Sequence, residues 1–488
     1  MKKFLWGILL LLLVLILFVL TRTFTMEDLQ PEAVTPPEWV KPPRDGFAER
    51  LGGSIRIQTI SHKPGMIDEA AFDSLHAFIR SNYPLVFSMG EDTVMGSHSL
   101  LIRIPGMDPM LKPMLVMGHM DVVPVERSSE DQWIYPPFSG AVEDGFIWGR
   151  GTLDDKSGVI GILEATQMLL EAGWRPDRDL FLSFGQDEEI GGDNGAVLIA
   201  EYFRQEKSEF SVILDEGGIL ARGVVPGVEG HVALVGIAEK GYVSLELSVR
   251  MEGGHSSMPQ RETALTKLIH ALETLDRNPF PQTLTPPLEG FMAYLGPHMG
   301  FTQRMAFASP NLFKPLILDV YDQAPGPRAL TQTTMVPTVI HAGIKDNVIP
   351  STASALVNLR LLPGETAETA LERVETIIGD TTIRVGYYDI VQDPSGVSDY
   401  RSEAFQKFGM TIKQVFPEVL VAPYLTIGAT DARHFDGLSP NIYRFLPNLI
   451  DDTDLARMHG LNERISVDAM EKNILFYQAF LVNFSADE

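Results

Sequence analysis

Two histidines and several carboxylates stand at glycine-bounded turns along this chain, and their types set the chemistry open to it. His119 and Asp121 follow the apolar run Met114-Leu115-Val116-Met117 in LVMGHMDVVP. Asp154 lies in GRGTLDDKSG (149–158), which runs directly into an apolar-striped helix. Glu188 and Glu189 sit in QDEEIGG after the strand-like DLFLSFG; Asp215 follows SVIL and precedes Glu216-Gly217-Gly218. His459 comes far later, in MHGLNERI. Each has an ordinary reading alone; Asp154, for instance, would serve as a helix N-cap. Four such clusters within a hundred residues need another account. His119, Asp154, Glu189, Asp215 and His459 make a donor set of two imidazoles and three carboxylates without a thiolate. That set suits two divalent cations a few ångströms apart with one carboxylate bridging, zinc first and cobalt or manganese as alternatives. Such a pair holds a hydroxide and polarises a carbonyl, which is the chemistry of amide hydrolysis. Glu188, beside a ligand but pointing elsewhere, is the candidate base for the water's proton, or else a carboxylate that only braces a ligand. Asp121, two residues beyond His119, is suited to orient its imidazole.

These groups must be brought together by strand ends. Apolar strands are expected at Leu100–Ile104, Lys112–Met117, Asp179–Gly185 and Ser211–Leu214, alternating with helices. Right-handed crossovers then gather the following turns at one edge of a parallel sheet. After Ala233 the pattern changes: VSLELSVRM (243–251) alternates with the two-residue period of an antiparallel strand. Further strands at Thr333–Gly343, Ala353–Leu361 and Thr381–Tyr388, with helices at Glu262–Leu275 and Ala367–Ile378, complete a smaller α+β unit. The expected fold class is therefore α/β, a catalytic domain with a mostly parallel sheet and an inserted α+β lid domain, plus an N-terminal transmembrane helix. The expected domains are a membrane anchor or signal segment (1–25), a proline-rich tether (26–45), a catalytic domain (46–235 and 390–488) and a lid or dimerisation domain (236–389). Within the lid, Phe280–Arg328 shows no clear period but many aromatics and methionines, expected in a core, a domain contact or an apolar substrate wall.

Composition narrows the function. At 488 residues with 45% apolar content the chain is globular and exceeds one ordinary core. Its net charge of −25 leaves no basic stripe to neutralise phosphates, which argues against nucleic acid. No cysteine is present, so disulfides, thiolate metal sites, cysteine nucleophiles and a lipoprotein anchor are excluded. Lys2-Lys3 precede the apolar stretch Phe4–Leu20, broken only by Gly7. As a helix that stretch is about 25 Å long, slightly short of a bilayer core of roughly 30 Å. An uncleaved anchor with the catalytic part extracytoplasmic is expected, the alternative being secretion after signal cleavage. The segment PEAVTPPEWVKPPR (31–44) reads as a stiff, extended tether.

HMD, GRGTLDDK, DEEIGG, the Asp215 strand end, GGHSSMP, NVIP and the late His459 together resemble the di-zinc aminoacylase/carboxypeptidase metallopeptidase family. The branch most similar is that of carboxypeptidase S and the N-fatty-acyl-amino-acid hydrolases, over roughly residues 46–485. The resemblance implies that Asp154 bridges two Zn²⁺ ions, with His119 and Asp215 completing one site and Glu189 and His459 the other. It implies that Asp121 steadies the ligand histidine, that Glu188 is the general base, and that His255 of the lid supports the oxyanion, sometimes from a dimer partner. Arg360 in NLRLLPG resembles the residue that grips a substrate carboxylate, and Asn347, Lys240 and Gly428 match other substrate-binding positions. The region Phe280–Arg328 is longer than in soluble aminoacylases. The function implied is zinc-dependent cleavage of an amide next to a free carboxylate, in an N-acyl amino acid or at a C-terminal peptide bond. Its expected partners are that small molecule, a membrane through the N-terminal helix, and a second copy through the lid. The rival class is a non-catalytic, membrane-tethered binding protein on the same fold, which would be expected to lose ligands or the base.

Overall fold

The computed structural model describes residues 1–63 and 65–486; residues 487 and 488 of the expected second catalytic segment lie outside the described residues. Met114–His119 is buried along its whole length, as an apolar run with strands on both sides must be. It pairs in parallel with Leu180–Gly185 and with Val212–Asp215, and Ile442–Arg444 continues in parallel beyond the latter. Outward from this centre the direction reverses. Ser99–Ile104 runs antiparallel to Leu180–Gly185, Glu91–Met95 antiparallel to Ser99–Ile104, and His231–Glu239 antiparallel to Ile442–Arg444. The ten-stranded sheet is thus mixed: its centre is parallel as expected and antiparallel pairings flank it, with Ile219–Arg222 and His231–Glu239 again taking parallel neighbours in Leu449–Ile450 and Leu420–Thr426. The links 96–98 and 223–230 are too short for a crossover, which needs a dozen or more residues, so the chain can only double back there.

The long helices Lys156–Glu171 and Val467–Ser485 lie against each other and are largely buried. Gly161 permits the close approach: a Cβ there would fall 1.9 Å from Asn473 Oδ1. Four antiparallel strands form the smaller domain, in the order Thr334–Ala342, Thr352–Leu361, Gly241–Arg250, Ile383–Gln392. Alternate residues Val243, Leu245, Leu247 and Val249 bury against Leu268, Leu275 and Val374 of the helices Ala264–Asp276 and Ala367–Ile378. Both helices open on a threonine whose hydroxyl accepts the N–H three residues on at 3.2 Å, each cap contributing about 1 kcal/mol. His231–Glu239 belongs to the large sheet, so this domain begins near Gly241 and ends at Gln392, a few residues from the expected bounds.

Two expectations need correction. Residues 280–331 form four short helices, Pro286–Leu295, Phe301–Ala308, Pro310–Tyr321 and Pro325–Thr331, and the first packs on Leu420–Thr426 of the large domain. Tyr294, Leu295 and Met299 join the large core, so these helices pack with the large domain, while Phe280 ahead of them stays in the core of the smaller one. Residues 26–45 are likewise no free tether. Gln30 exchanges hydrogen bonds of 2.8 Å with both backbone groups of Val421 and donates to Tyr294 O at 3.1 Å. Lys41 exchanges bonds of 2.9 and 3.0 Å with Gln478, and Arg44 reaches the buried Glu164 at 2.9 Å. An extended proline-rich chain leaves its polar groups unpaired within itself, and here the body supplies their partners. The segment is a strap. Ahead of it, Lys2–Phe24 is one helix, long and apolar enough to cross a membrane.

Candidate metal centre and active-site cavity

Asp154 is the hinge of the site. Its Oδ1 lies 2.8 Å from His119 Nε2 and its Oδ2 lies 2.9 Å from His459 Nε2, so one carboxylate serves two imidazoles from opposite sides. Glu189 Oε1 lies 3.3 Å from the same nitrogen of His459. Two groups of donor atoms, each within 4.8 Å of one another, share Asp154: His119, Asp154 and Glu216, and Asp154, Glu189 and His459. The third carboxylate brought to the centre is therefore Glu216, not the expected Asp215. Successive side chains of an extended strand project to opposite faces, so only one of this pair can face the imidazoles. Asp215 is buried, its Oδ2 accepting the N–H of Ala432 at 2.7 Å.

Asp121 organises the centre from beneath. Buried completely, it accepts the N–H groups of Glu188 and Glu189 on its two oxygens, both at 3.2 Å. Its carbonyl accepts from His119 Nδ1 at 3.0 Å and its Oδ1 lies 3.3 Å from that nitrogen. Holding the proton on Nδ1 leaves Nε2 free as a ligand atom. Asp155 closes the space behind, its Oδ2 accepting the N–H of His119 at 3.3 Å. That closeness requires glycine at 118, where a Cβ would stand 2.6 Å from the same oxygen.

The charge balance calls for cations. Burial pushes the carboxyls of Glu188, Glu216 and Asp431 well above their ordinary range, neighbouring acids add to the effect, and His119 opposes it. Glu189 is raised by burial against the pull of His459. Asp154 goes the other way: burial raises it, but its hydrogen bonds with His119 and His459 prevail. The bonds to Asp154 and Glu189 lift His459 to about 10. So many acids in one buried space are costly without compensating positive charge, and an all-N/O donor set fits hard or borderline divalent ions. The residues present fit such a group.

Above the centre a cavity of about 730 Å³ opens between the two domains. Arg360, Tyr242 and Gln392 reach it from the smaller domain, where the three residues face one another across adjacent strands. Arg360 lies 4.5 Å over the Tyr242 ring. Gly428, with Ile427, Ala429 and Thr430, forms one rim, and a cluster including Ile219, Val224, Leu234 and Met458 forms an apolar wall. The other expected substrate residues are elsewhere. Lys240 is buried and donates to Ala329 O at 2.8 Å and Gln332 O at 2.7 Å; burial lowers it to about 7, and it does not line the cavity. His255 and Asn347 are exposed at the far tip of the smaller domain, beyond Arg250. From Tyr242 at the cavity to Arg250 the strand runs about 27 Å, at roughly 3.4 Å per residue, so neither reaches this chain's own centre.

Three groups escaped sequence reasoning. Glu463, buried, accepts the N–H groups of Gly151 and Leu153 at 2.9 Å each and pairs with Arg150, pinning the loop that carries Asp154. Glu239 and Arg444 pair in the interior at 2.6 Å, and Glu239 Oε2 accepts the N–H of Thr430 at 2.7 Å, bracing the Gly428 rim. Arg433 lines the cavity and donates to Gly191 O at 3.1 Å. NERI begins three residues after His459 and TDAR two after Gly428, but nothing local in either motif names a partner hundreds of residues away.

The profile of the peptidase family M20/M25/M40 matches residues 115–483. The chain is similar to probable carboxypeptidase S-like 2 of Dictyostelium discoideum, 38% identical over 444 residues, 90% of this chain and 85% of that protein. It is also similar to N-fatty-acyl-amino acid synthase/hydrolase PM20D1 of Xenopus tropicalis, 38% identical over 488 residues, 98% of this chain and 94% of that protein. In fold it is similar to the M20 family metallo-carboxypeptidase Sso-CP2 from Sulfolobus solfataricus, with a TM-score of 0.69 at 18% identity, covering 91% of this chain and all (100%) of that one.

Proposed function

The chain belongs to the peptidase family M20/M25/M40 and is a hydrolase of it, and from that premise we propose that it cleaves an amide bond next to a free carboxylate. The preferred substrate is an N-acyl amino acid with an apolar acyl chain; a C-terminal peptide bond is the second reading, which the carboxypeptidase-named relative favours. One observation carries the proposal: the cavity divides into an acidic floor, a cationic wall at Arg360 and a broad apolar wall. A guanidinium held flat over Tyr242 is pre-organised to take a carboxylate with two parallel hydrogen bonds. His119, Asp154 and Glu216 would hold one divalent ion and Asp154, Glu189 and His459 the other, zinc first, with cobalt or manganese as substitutes. When bound, these ions polarise the scissile carbonyl and make water acidic enough to attack near neutral pH. Glu188 takes the water's proton on its carboxylate and passes it to the leaving nitrogen. Asp121 keeps Glu188 and Glu189 apart in direction by holding their two N–H groups.

The smaller domain acts as a lid, and a homodimer through it lets His255 and Asn347 serve the partner's cavity, which their distance from their own supports. Lys2–Phe24 anchors the chain with the body extracytoplasmic; a cleaved, secreted form is the alternative. The test is hydrolysis of matched N-lauroyl-, N-acetyl- and glycyl-amino acids before and after chelation, with zinc restored. Chelator-sensitive activity concentrated on the lauroyl series is expected. Preference for the glycyl series selects the peptidase reading, and turnover indifferent to chelation refutes the metal centre.

A further inference from the structure

The membrane anchor is held against the catalytic body in a way that fixes where the bilayer surface falls. Between Phe4 and Phe18 no side of the helix is covered by protein; Val19 and Thr23 are buried, where the helix meets Phe301–Ala308. Phe24 and Phe301 lie with ring centroids 6.0 Å apart. The uncovered stretch of fifteen residues spans only about 22 Å, against a hydrocarbon core of roughly 30 Å. The missing 8 Å or so must come from residues 19–24. At that level the helix already lies beside Phe301–Ala308.

The next helix, Pro310–Tyr321, packs on Phe301–Ala308 and carries an apolar stripe. Leu312, Leu316 and Val320, spaced four apart on Pro310–Tyr321, are 46, 53 and 54% exposed, and Phe301 is 52% exposed. An adjacent face of that helix, about 100° round, packs inward through Ile317 and Phe313. One apolar side chain in water is unremarkable, but a stripe of three on a helix that packs on the anchor's own neighbour is a surface. The arrangement cannot swing away freely. Met26 rests on Gly296, Asp28 lies 3.1 Å from His298, and Gln30 ties the strap to Val421 and Tyr294.

Resting on the reading of Lys2–Phe24 as a membrane anchor, we propose that Phe301 and the Leu312–Leu316–Val320 stripe dock into the headgroup–acyl boundary of the bilayer, so that the body sits flush on the lipid. With a net charge of −25 and Asp319 beside the stripe, a zwitterionic surface suits this contact better than an anionic one.

The absence of native cysteine makes the test direct. Full-length L316C, V320C, L11C and M110C are each spin-labelled in phosphatidylcholine vesicles, and collisions with oxygen and with a water-soluble nickel chelate are compared. Met110, 88% exposed on the body, is the aqueous reference. The expected result places L316C and V320C about 5–10 Å into the boundary, with oxygen favoured several-fold over the chelate relative to M110C. Labels at 316 and 320 as open to the chelate as M110C, with L11C deep, overturn the docking while the anchor stands. L11C equally open to the chelate removes the anchor reading and the docking together. Labels shielded from both reagents mean protein covers the stripe, which also overturns the proposal. Using two stripe positions guards against one variant that fails to fold.

Discussion

Asp121→Asn tests whether the centre is organised from beneath. The buried carboxylate accepts the N–H groups of Glu188 and Glu189, one on each oxygen, and faces His119 Nδ1. Asparagine keeps one acceptor and replaces the other with a donor, so in either orientation one N–H loses its partner and meets an N–H instead. A hydrogen bond to a charged acceptor is worth about 1.5–3 kcal/mol, and the loss falls on the turn that carries the proposed base and a proposed ligand. Partners of this kind typically set metal affinity by 10–100-fold, or roughly 1.4–2.7 kcal/mol, which agrees with the loss of one such bond. The assay is zinc competition against a chelating indicator, followed by kcat at saturating zinc. The weaker zinc Kd should rise by about 10–100-fold, and kcat should stay depressed at saturation because Glu188 has lost its support. Affinity and kcat both within twofold of the parent (about 0.4 kcal/mol) would refute the reasoning and leave Asp121 a passive filler.

Three further outcomes are expected. Glu216→Gln should lose zinc from the His119 side, whereas Asp215→Asn should keep both ions and act through the Ala432 loop; the reverse pattern in zinc stoichiometry restores Asp215 as ligand. Arg360→Ala should cost about 2–5 kcal/mol in kcat/KM on substrates with a free carboxylate and far less on their amides, and equal losses would remove Arg360 from carboxylate recognition. Glu239→Gln should destabilise the fold by about 3–5 kcal/mol in denaturant unfolding, because it strands the buried Arg444 charge. Adding Arg444→Met should recover most of that loss, and no recovery would assign the cost to Thr430 instead.

Much of this was legible because buried strands and glycine turns declare themselves locally. The uninterrupted apolar run before His119 named a central strand, and three strand ends and one glycine turn bearing acids or imidazole pointed to one edge. The choice between Asp215 and Glu216 was not legible, since adjacent acids at a strand end differ only in the face they take. Residues 280–331 hid because helices as short as Phe301–Ala308 show too few turns for a period, and prolines open three of the four. The strap misled for a different reason. Its composition fixes an extended backbone but says nothing about the Val421 and Gln478 groups that receive it. Arg150 with Glu463 and Glu239 with Arg444 escaped because pairing across 313 and 205 residues leaves no trace in spacing.

The buried Glu463 also sets an order of events in biosynthesis. The loop that presents Asp154 is closed by N–H groups that Glu463 accepts, and His459 arrives in the same stretch. During synthesis at about 5–20 residues per second, the smaller domain is complete at Gln392 with its own core, while the loop waits for some seventy more residues. Contacts at such separation form late, because the entropy of closing the intervening chain must be met first. The nascent enzyme is therefore inert until almost its last residues emerge, and a chain that stops short of Glu463 can be folded in its insertion yet have no site at all.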